Sequence, residues 1–171
     1  DFKAHEYLNA SVDLQPGESV RIASAPYEEP NVVCEKARRL AQRYDLWTYR
    51  KIGTSAQGRP IPVLETEPRE FKLLVDATMQ SCEPVSWGIL HVAHWLTIPT
   101  ARTRRLLDEI QFCPMPMTNP DGVYAGHSVT NAVGEVPKFG INNLVEGKGA
   151  ARETEALWHY LLNLKPDASI E

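Results

Sequence analysis

Apolar positions change their period along this chain, and each change marks an element. Val12 and Leu14 alternate with polar residues, Gln15-Pro16-Gly17-Glu18 has turn chemistry, and Val20 and Ile22 alternate after it. Residues 9–24 are therefore expected to form a β-hairpin. Two prolines and two glutamates within 25–30 read as a linker. From there Val33, Ala37, Leu40, Ala41 and Tyr44 recur at helical spacing, with Asn31 as the expected N-cap. A strand is expected at 47–52, a turn at 53–58 and a short strand at 61–65, where Pro62 points to a place near a sheet edge. The apolar run 71–77 suits a buried strand near the middle of a sheet. Pro84 can open a helix that runs to Leu96 and is apolar on most sides, which predicts burial. The remaining pattern predicts a strand at 110–117, a turn at Asn119-Pro120-Asp121-Gly122 and a loop over 127–149. A helix at 153–164 follows, with Leu157, Tyr160, Leu161 and Leu164 on one face, and a strand begins at 168–171. Alternating strands and helices give an α/β fold class, a mixed central sheet flanked by helices, with an N-terminal β-hairpin. Residues 1–26 are expected to form a hairpin segment, readable as the end of a preceding β domain, and 27–171 the α/β domain.

Composition narrows the function. With 171 residues, 43% apolar and 23% charged, the chain is long enough for one cored domain. A net charge of −4 argues against a nucleic-acid partner. The cluster Arg102, Arg104 and Arg105 reads as a solvated helix face. Cys34, Cys82 and Cys113 are odd in number and widely spaced, which predicts neither a disulfide framework nor a cysteine zinc knuckle. A reducing, cytoplasmic compartment is the expectation. No apolar run reaches the roughly 18 residues of a membrane span, so no membrane partner is expected. The start, Asp1-Phe2-Lys3, is not a signal peptide and lacks a Met, so the chain reads as cut or trimmed. Asn9-Ala10-Ser11 fits the short N-glycosylation pattern.

Chemistry is expected just past the strand at 71–77, where α/β folds bind ligands. Thr78-Met79-Gln80-Ser81-Cys82-Glu83-Pro84 follows that strand. Glu83 is placed at a helix N-terminus, which favours a carboxylate. Asp76, inside the strand, requires a partner if buried, and the sequence does not name one. His91 and His94 have metal-binding spacing, but their apolar surroundings make them satisfied core histidines. His-Glu-x-x-His is absent, and 53–58 lacks the Gly-Lys-Ser/Thr ending of a phosphate loop.

Ile52-Gly53-Thr54-Ser55-Ala56-Gln57-Gly58-Arg59 resembles the opening strand and turn of the carboxypeptidase A type of zinc metallocarboxypeptidase. The stretches 71–96, 106–122 (ending in Asn119-Pro120-Asp121-Gly122) and Glu153-Thr154-Glu155-Ala156-Leu157 resemble later parts of that family, in order. The resemblance covers about 31–171 and implies the first half of a zinc-carboxypeptidase-like domain. It implies zinc as cofactor, hydrolysis of C-terminal peptide or related amide bonds, and a peptide or amide substrate as partner. The family's His-x-x-Glu metal motif reads Gln80-Ser81-Cys82-Glu83 here. Glu83 matches the carboxylate ligand, while Gln80 replaces an imidazole by a poor amide ligand. Cys82 is expected as a small buried hydrophobe, with a thiolate metal ligand as the alternative. The family's substrate-binding arginines have no counterpart, because no arginine lies between Arg105 and Arg152. Lys138 and His127 are the substitute candidates for substrate binding, against the plainer readings of a solvated lysine and a loop histidine. The family's third zinc ligand and catalytic glutamate would lie past Glu171. The resemblance thus implies an altered, incomplete site with no assigned catalytic residue, inactive as this chain alone. The remaining half of the domain would be a partner. The alternative is a non-catalytic binding or scaffold module that kept the fold and lost the metal. Gln80, Glu83, Asn119 and Asp121 are expected around one rim of the sheet.

Overall fold

The structure is a computed structural model that describes residues 11–20, 27–83 and 85–171. Helix α1 (Pro30–Arg43) places Pro30 in its first turn, where a missing N–H is harmless. The N-cap is Glu29 rather than the expected Asn31, and it makes no side-chain cap. Strands β1 (Thr48–Thr54) and β2 (Pro60–Glu65) form an antiparallel hairpin. Its register slips between Lys51 and Gly53, beside Pro62, which has no N–H to give. Pro62 marks this irregularity more than an outer edge. Just past β2, Thr66 donates its N–H to Phe112 O at 3.0 Å and accepts the Phe112 N–H on its hydroxyl at 2.9 Å. That pair of bonds ties the hairpin to β4 (Ile110–Met115).

Strand β3 (Phe71–Asp76) lies between β4 and β5 (Ala168–Ile170) and is parallel to both. It holds the central place that its apolar run predicted. Helices α2 (Ser86–Leu96) and α3 (Ala101–Glu109) cross from β3 to β4. Thr100 and Thr103 form a reciprocal capping box at the start of α3. Arg102, Arg104 and Arg105 stand exposed on that helix, as expected.

Period-two alternation distributes the core to both faces of the strands. Leu64 and Phe112 join Val33 and Ala37 of α1 and Leu90, Ala93 and Leu96 of α2. Ile61, Val63, Leu74, Cys113 and Met115 join Leu157 and Leu164 of helix α6 (Arg152–Leu164). The result is helices on both faces of the strands.

Several expectations differ from the structure. Asn119-Pro120-Asp121-Gly122 opens a short helix, α4 (Pro120–Ala125), because Asn119 caps it and Pro120 fits its first turn. Within 127–149 lies helix α5 (Pro137–Val145), also opened by a proline. Helix α2 is buried on one side only: Ile89, Leu90, Ala93 and Leu96 face inward, whereas Trp87 is 47% and Val92 41% exposed. His91 and His94 are likewise exposed, not core residues. Of the expected hairpin at 9–24, residues 11–20 show the turn, with Glu18 N–H bonded to Gln15 O at 3.0 Å, but no strand. Its other residues, with Asn9 and the expected boundary after 26, lie outside the described ones.

Candidate functional site

At the carboxyl end of β3 the backbone turns at Thr78, which is buried and has φ 67°. A β-branched residue rarely takes this left-handed conformation, at a cost of about 1–3 kcal/mol. Neighbouring bonds hold it there. Thr118, past the end of β4, donates its N–H to Thr78 Oγ1 at 3.1 Å and its hydroxyl to Ala77 O at 2.9 Å.

The loop that Thr78 launches carries Gln80, half-buried, and Glu83, exposed. Glu83 N–H bonds to Gln80 O at 3.0 Å, so the two residues close one turn. Neither side chain makes a hydrogen bond or ion pair among the described residues. Helix α2 starts later, at Ser86 with Val85 as N-cap and no acidic residue in its first turn. Glu83 therefore stands ahead of the helix, not at its N-terminus as expected. Cys82 is exposed rather than buried, and its N–H donates to Ser128 O at 2.8 Å. Ser81 Oγ donates to His127 O at 2.8 Å. These two bonds dock the segment after α4 onto the rim.

His127 thus lies beside the rim, but its ring serves its own turn: Nδ1 is 3.1 Å from Asn131 O. Lys138 is exposed in the first turn of α5. Asn119 is fully buried and joins three segments. Its Oδ1 accepts the Gly122 N–H at 3.0 Å, and its Nδ2 donates to Met79 O and Thr130 O, each at 3.3 Å. A Cβ on Gly122 would strike the Asn119 amide at 2.7 Å and collide with Thr130 O, so only glycine allows this approach.

Asp121 is also fully buried, but it serves the β1–β2 turn. Its carboxylate accepts from Ser55 Oγ at 2.7 Å, Gln57 N–H at 2.8 Å and Arg59 Nη1 at 2.7 Å. The Arg59 guanidinium lies 3.8 Å from the Tyr124 ring centre. Of the four residues expected at one rim, Gln80, Glu83 and Asn119 adjoin one loop, and Asp121 is engaged elsewhere.

Sequence reasoning missed a second layer. Asn131 Oδ1 accepts from Val133 N–H at 3.1 Å and Glu135 N–H at 3.0 Å. Glu135 in turn caps α6, accepting from Ala151 N–H at 2.9 Å and Thr154 Oγ1 at 2.7 Å. Glu153 accepts from Ala56 N–H at 3.2 Å, and burial raises its pKa. The acidic first turn of α6 was the one signal for these roles. Asp76 is buried, and its pKa is pushed up to about 6, chiefly by loss of water and then by the charge of Glu171. Its own backbone N–H and the Ser169 side chain offset part of that rise, which supplies the missing partner.

A catalytic zinc takes three protein ligands and an open position. Among the described residues no three His, Cys, Asp or Glu side chains come together. Gln80 and Glu83 offer one amide and one carboxylate. These residues do not fit a catalytic zinc. No helix among the described residues is long and apolar enough to cross a membrane.

No curated protein matches the chain. Solved structures do. A metallo-carboxypeptidase from Burkholderia cenocepacia aligns with a TM-score of 0.70 and 22% identity, over 84% of this chain and 40% of that one. A metallo-carboxypeptidase from Pseudomonas aeruginosa, in complex with (2-guanidinoethylmercapto)succinic acid, aligns at 0.61 and 23%, over 79% and 38%. Thrombin activatable fibrinolysis inhibitor aligns at 0.63 and 18%, over 83% and 45%. At such identities the likeness is one of fold, and the chain spans less than half of each of these proteins. The zinc carboxypeptidase family model matches residues 33–157, most of the chain, in the region that holds the Ser55–Asp121 anchor and the Gln80–Glu83 rim. This chain belongs to the zinc carboxypeptidase family.

Proposed function

We propose that this chain carries part of a metallocarboxypeptidase-type site for peptide or related amide C-termini, and that it has no hydrolytic activity alone. The observation that carries the reading is the rim itself: Gln80 stands beside Glu83, and among the described residues no three His, Cys, Asp or Glu side chains are grouped to hold a metal ion. Glu83 is exposed and unengaged among the described residues, which leaves its carboxylate available as a ligand. Gln80 offers a neutral oxygen where an imidazole would bind. Lys138 is the cation on offer for a substrate carboxylate, as a point charge without an arginine fork. His127 contributes a peptide carbonyl that holds the rim loop.

The second reading is a non-catalytic binding or scaffold module. The buried anchor around Asp121 supports it, since that carboxylate is taken up by Ser55, Gln57 and Arg59. Zinc titration of the 171-residue chain by calorimetry, beside an assay with peptides bearing free C-termini, tests the first reading. Weak or absent zinc binding and no turnover are expected. Stoichiometric submicromolar binding, or turnover abolished by a chelator, would refute the claim of inactivity. Equal binding of a peptide acid and its C-terminal amide would reject C-terminal recognition and leave the scaffold reading.

A further inference from the structure

A second surface lies away from the rim. Helix α2 starts beside the rim loop and runs 11 residues, about 16 Å, to a seam where it meets the end of α1 and the start of α3. Tyr44 sits in that seam, its hydroxyl 3.5 Å from His94 Nε2 and its ring edge-on to the imidazole at 6.0 Å. Arg43 and Tyr44 form the wall between two adjoining hollows. One, about 260 Å³, opens between α1 and α2 over Leu40 and Leu90. The other, about 400 Å³, opens toward α3 over Leu46, Leu96 and Leu107.

Cations surround these apolar floors. Lys36, Arg39 and Arg43 border the first hollow, and Arg43 and Arg104 the second. Lys36 pairs with Glu28 and Arg39 with Glu35, whereas Arg43 and Arg104 have no ion pair among the described residues. Arg43 lies 5.5 Å from the Tyr44 ring centre, and Arg102 lies 5.8 Å from the Trp95 ring. A guanidinium stacked in this way keeps its charge and its outward donors. Asp45 is the acidic side chain in the lining. On a chain of net charge −4, this is a local reversal of sign.

We propose that the seam between α1, α2 and α3 is a docking groove for an acidic polypeptide segment in which carboxylates alternate with aliphatic side chains. Carboxylates match the fork of Arg43 and Arg104, and aliphatic side chains enter the leucine-lined hollows. The interspersed Glu28, Glu35 and Asp45 disfavour a nucleic acid, which would need a continuous basic stripe.

The test titrates a fluorescein-labelled peptide of alternating Glu and Leu with the full chain, read by anisotropy at low and high salt. Saturable binding that weakens with salt is expected. Arg43→Glu combined with Arg104→Glu should weaken it by at least about tenfold. Arg105→Glu, at a residue paired with Glu109, should leave it unchanged. On the unaltered chain a peptide with Gln in place of Glu should bind at least about tenfold more weakly. That comparison decides the matter even if the double variant does not fold. Absent binding, equal binding of the Glu and Gln peptides, or unchanged binding by a double variant with native circular dichroism would overturn the proposal. So would tighter binding of a single-stranded oligonucleotide or of phosphatidylglycerol vesicles.

Discussion

Asp121 and Glu83 are both carboxylates beyond the carboxyl ends of neighbouring parallel strands, yet their surroundings are opposite. Asp121 is fully buried and takes three hydrogen bonds, one from a guanidinium. Glu83 is exposed and takes none among the described residues. The difference separates two jobs within one family motif set. The Ser55–Arg59 turn and the Asn119–Gly122 cap fasten β1–β2 to the end of β4, which is a folding task. The backbone of the Gln80–Glu83 turn is held, but among the described residues the Gln80 and Glu83 side chains make no hydrogen bond or ion pair. A buried carboxylate that already takes three of its roughly four hydrogen bonds from the chain has little left to offer a ligand.

The strongest way to break this contrast is Asp121→Ala. Removing the carboxylate leaves Arg59, whose side chain is 16% exposed, without its partner. Loss of one member of a buried pair costs about 3–5 kcal/mol. Urea denaturation should show that loss, while Glu83→Ala should shift stability by less than about 0.5 kcal/mol. Equal effects of the two substitutions would refute the division of labour.

Asp76 sharpens the same contrast by pH. It is a buried carboxyl whose neighbours do not fully satisfy its charge, unlike Asp121. Its pKa rises from 3.8 to about 6, equivalent to at most about 3 kcal/mol. Folding therefore favours the protonated form. The stabilisation is fully present below pH 3.8 and is lost as pH rises through about 6. Asp76→Asn should be more stable than the unaltered chain at pH 7, and the gain should vanish toward pH 4. Denaturation curves of both proteins across that range would show it. A gain that is independent of pH would refute the assignment to Asp76.

Much of the fold was legible because its signals are local. The apolar run that became β3 and the Leu157–Leu164 face of α6 need no distant information. Helix α5 was not legible. Gly140 and Asn142-Asn143 lower its helix propensity, and its place is set by packing, with Gly140 close against Glu135 and Thr154. The Asn-Pro-Asp-Gly run is ambiguous in sequence because a capping Asn followed by Pro fits both a turn and a first helical turn. Exposure of Trp87 and Val92 was illegible for another reason: periodicity reports which residues are apolar, not what covers them. At the candidate site, motif order nominates Glu83 and Gln80. The Arg59–Asp121 pair did not, since its partners lie 62 residues apart in sequence.

Asn119 tests whether the anchor and the rim are coupled. Asn119→Ala removes the α4 cap, worth about 1 kcal/mol. It also strips the donors from Met79 O and Thr130 O, and about 2 kcal/mol is expected in all. Because Met79 adjoins Gln80, the rim should loosen as well. Hydrogen exchange at the Glu83 amide, which bonds to Gln80 O, should quicken more than global destabilisation explains. Exchange that follows global stability alone would uncouple the two regions.

The smallest effect is expected at the rim. Gln80→His places an imidazole in the same turn as Glu83, giving a carboxylate and a nitrogen in place of a carboxylate and an amide. Two ligands still fall short of the three a catalytic zinc takes, so the gain in zinc affinity should be modest. Changes around metal ligands typically move affinity roughly 10- to 100-fold, and the lower end, about tenfold, is expected here. Stability should barely change, since Gln80 is half-buried and its side chain makes no hydrogen bond among the described residues. Calorimetric zinc titration of both chains, with Glu83→Gln in the Gln80→His background as control, measures the effect. The gain must disappear in that control if the two side chains share a metal. A gain that survives removal of the Glu83 carboxylate would mean that zinc binds elsewhere, for instance at the exposed His91 and His94, and that the rim turn lacks metal-site geometry.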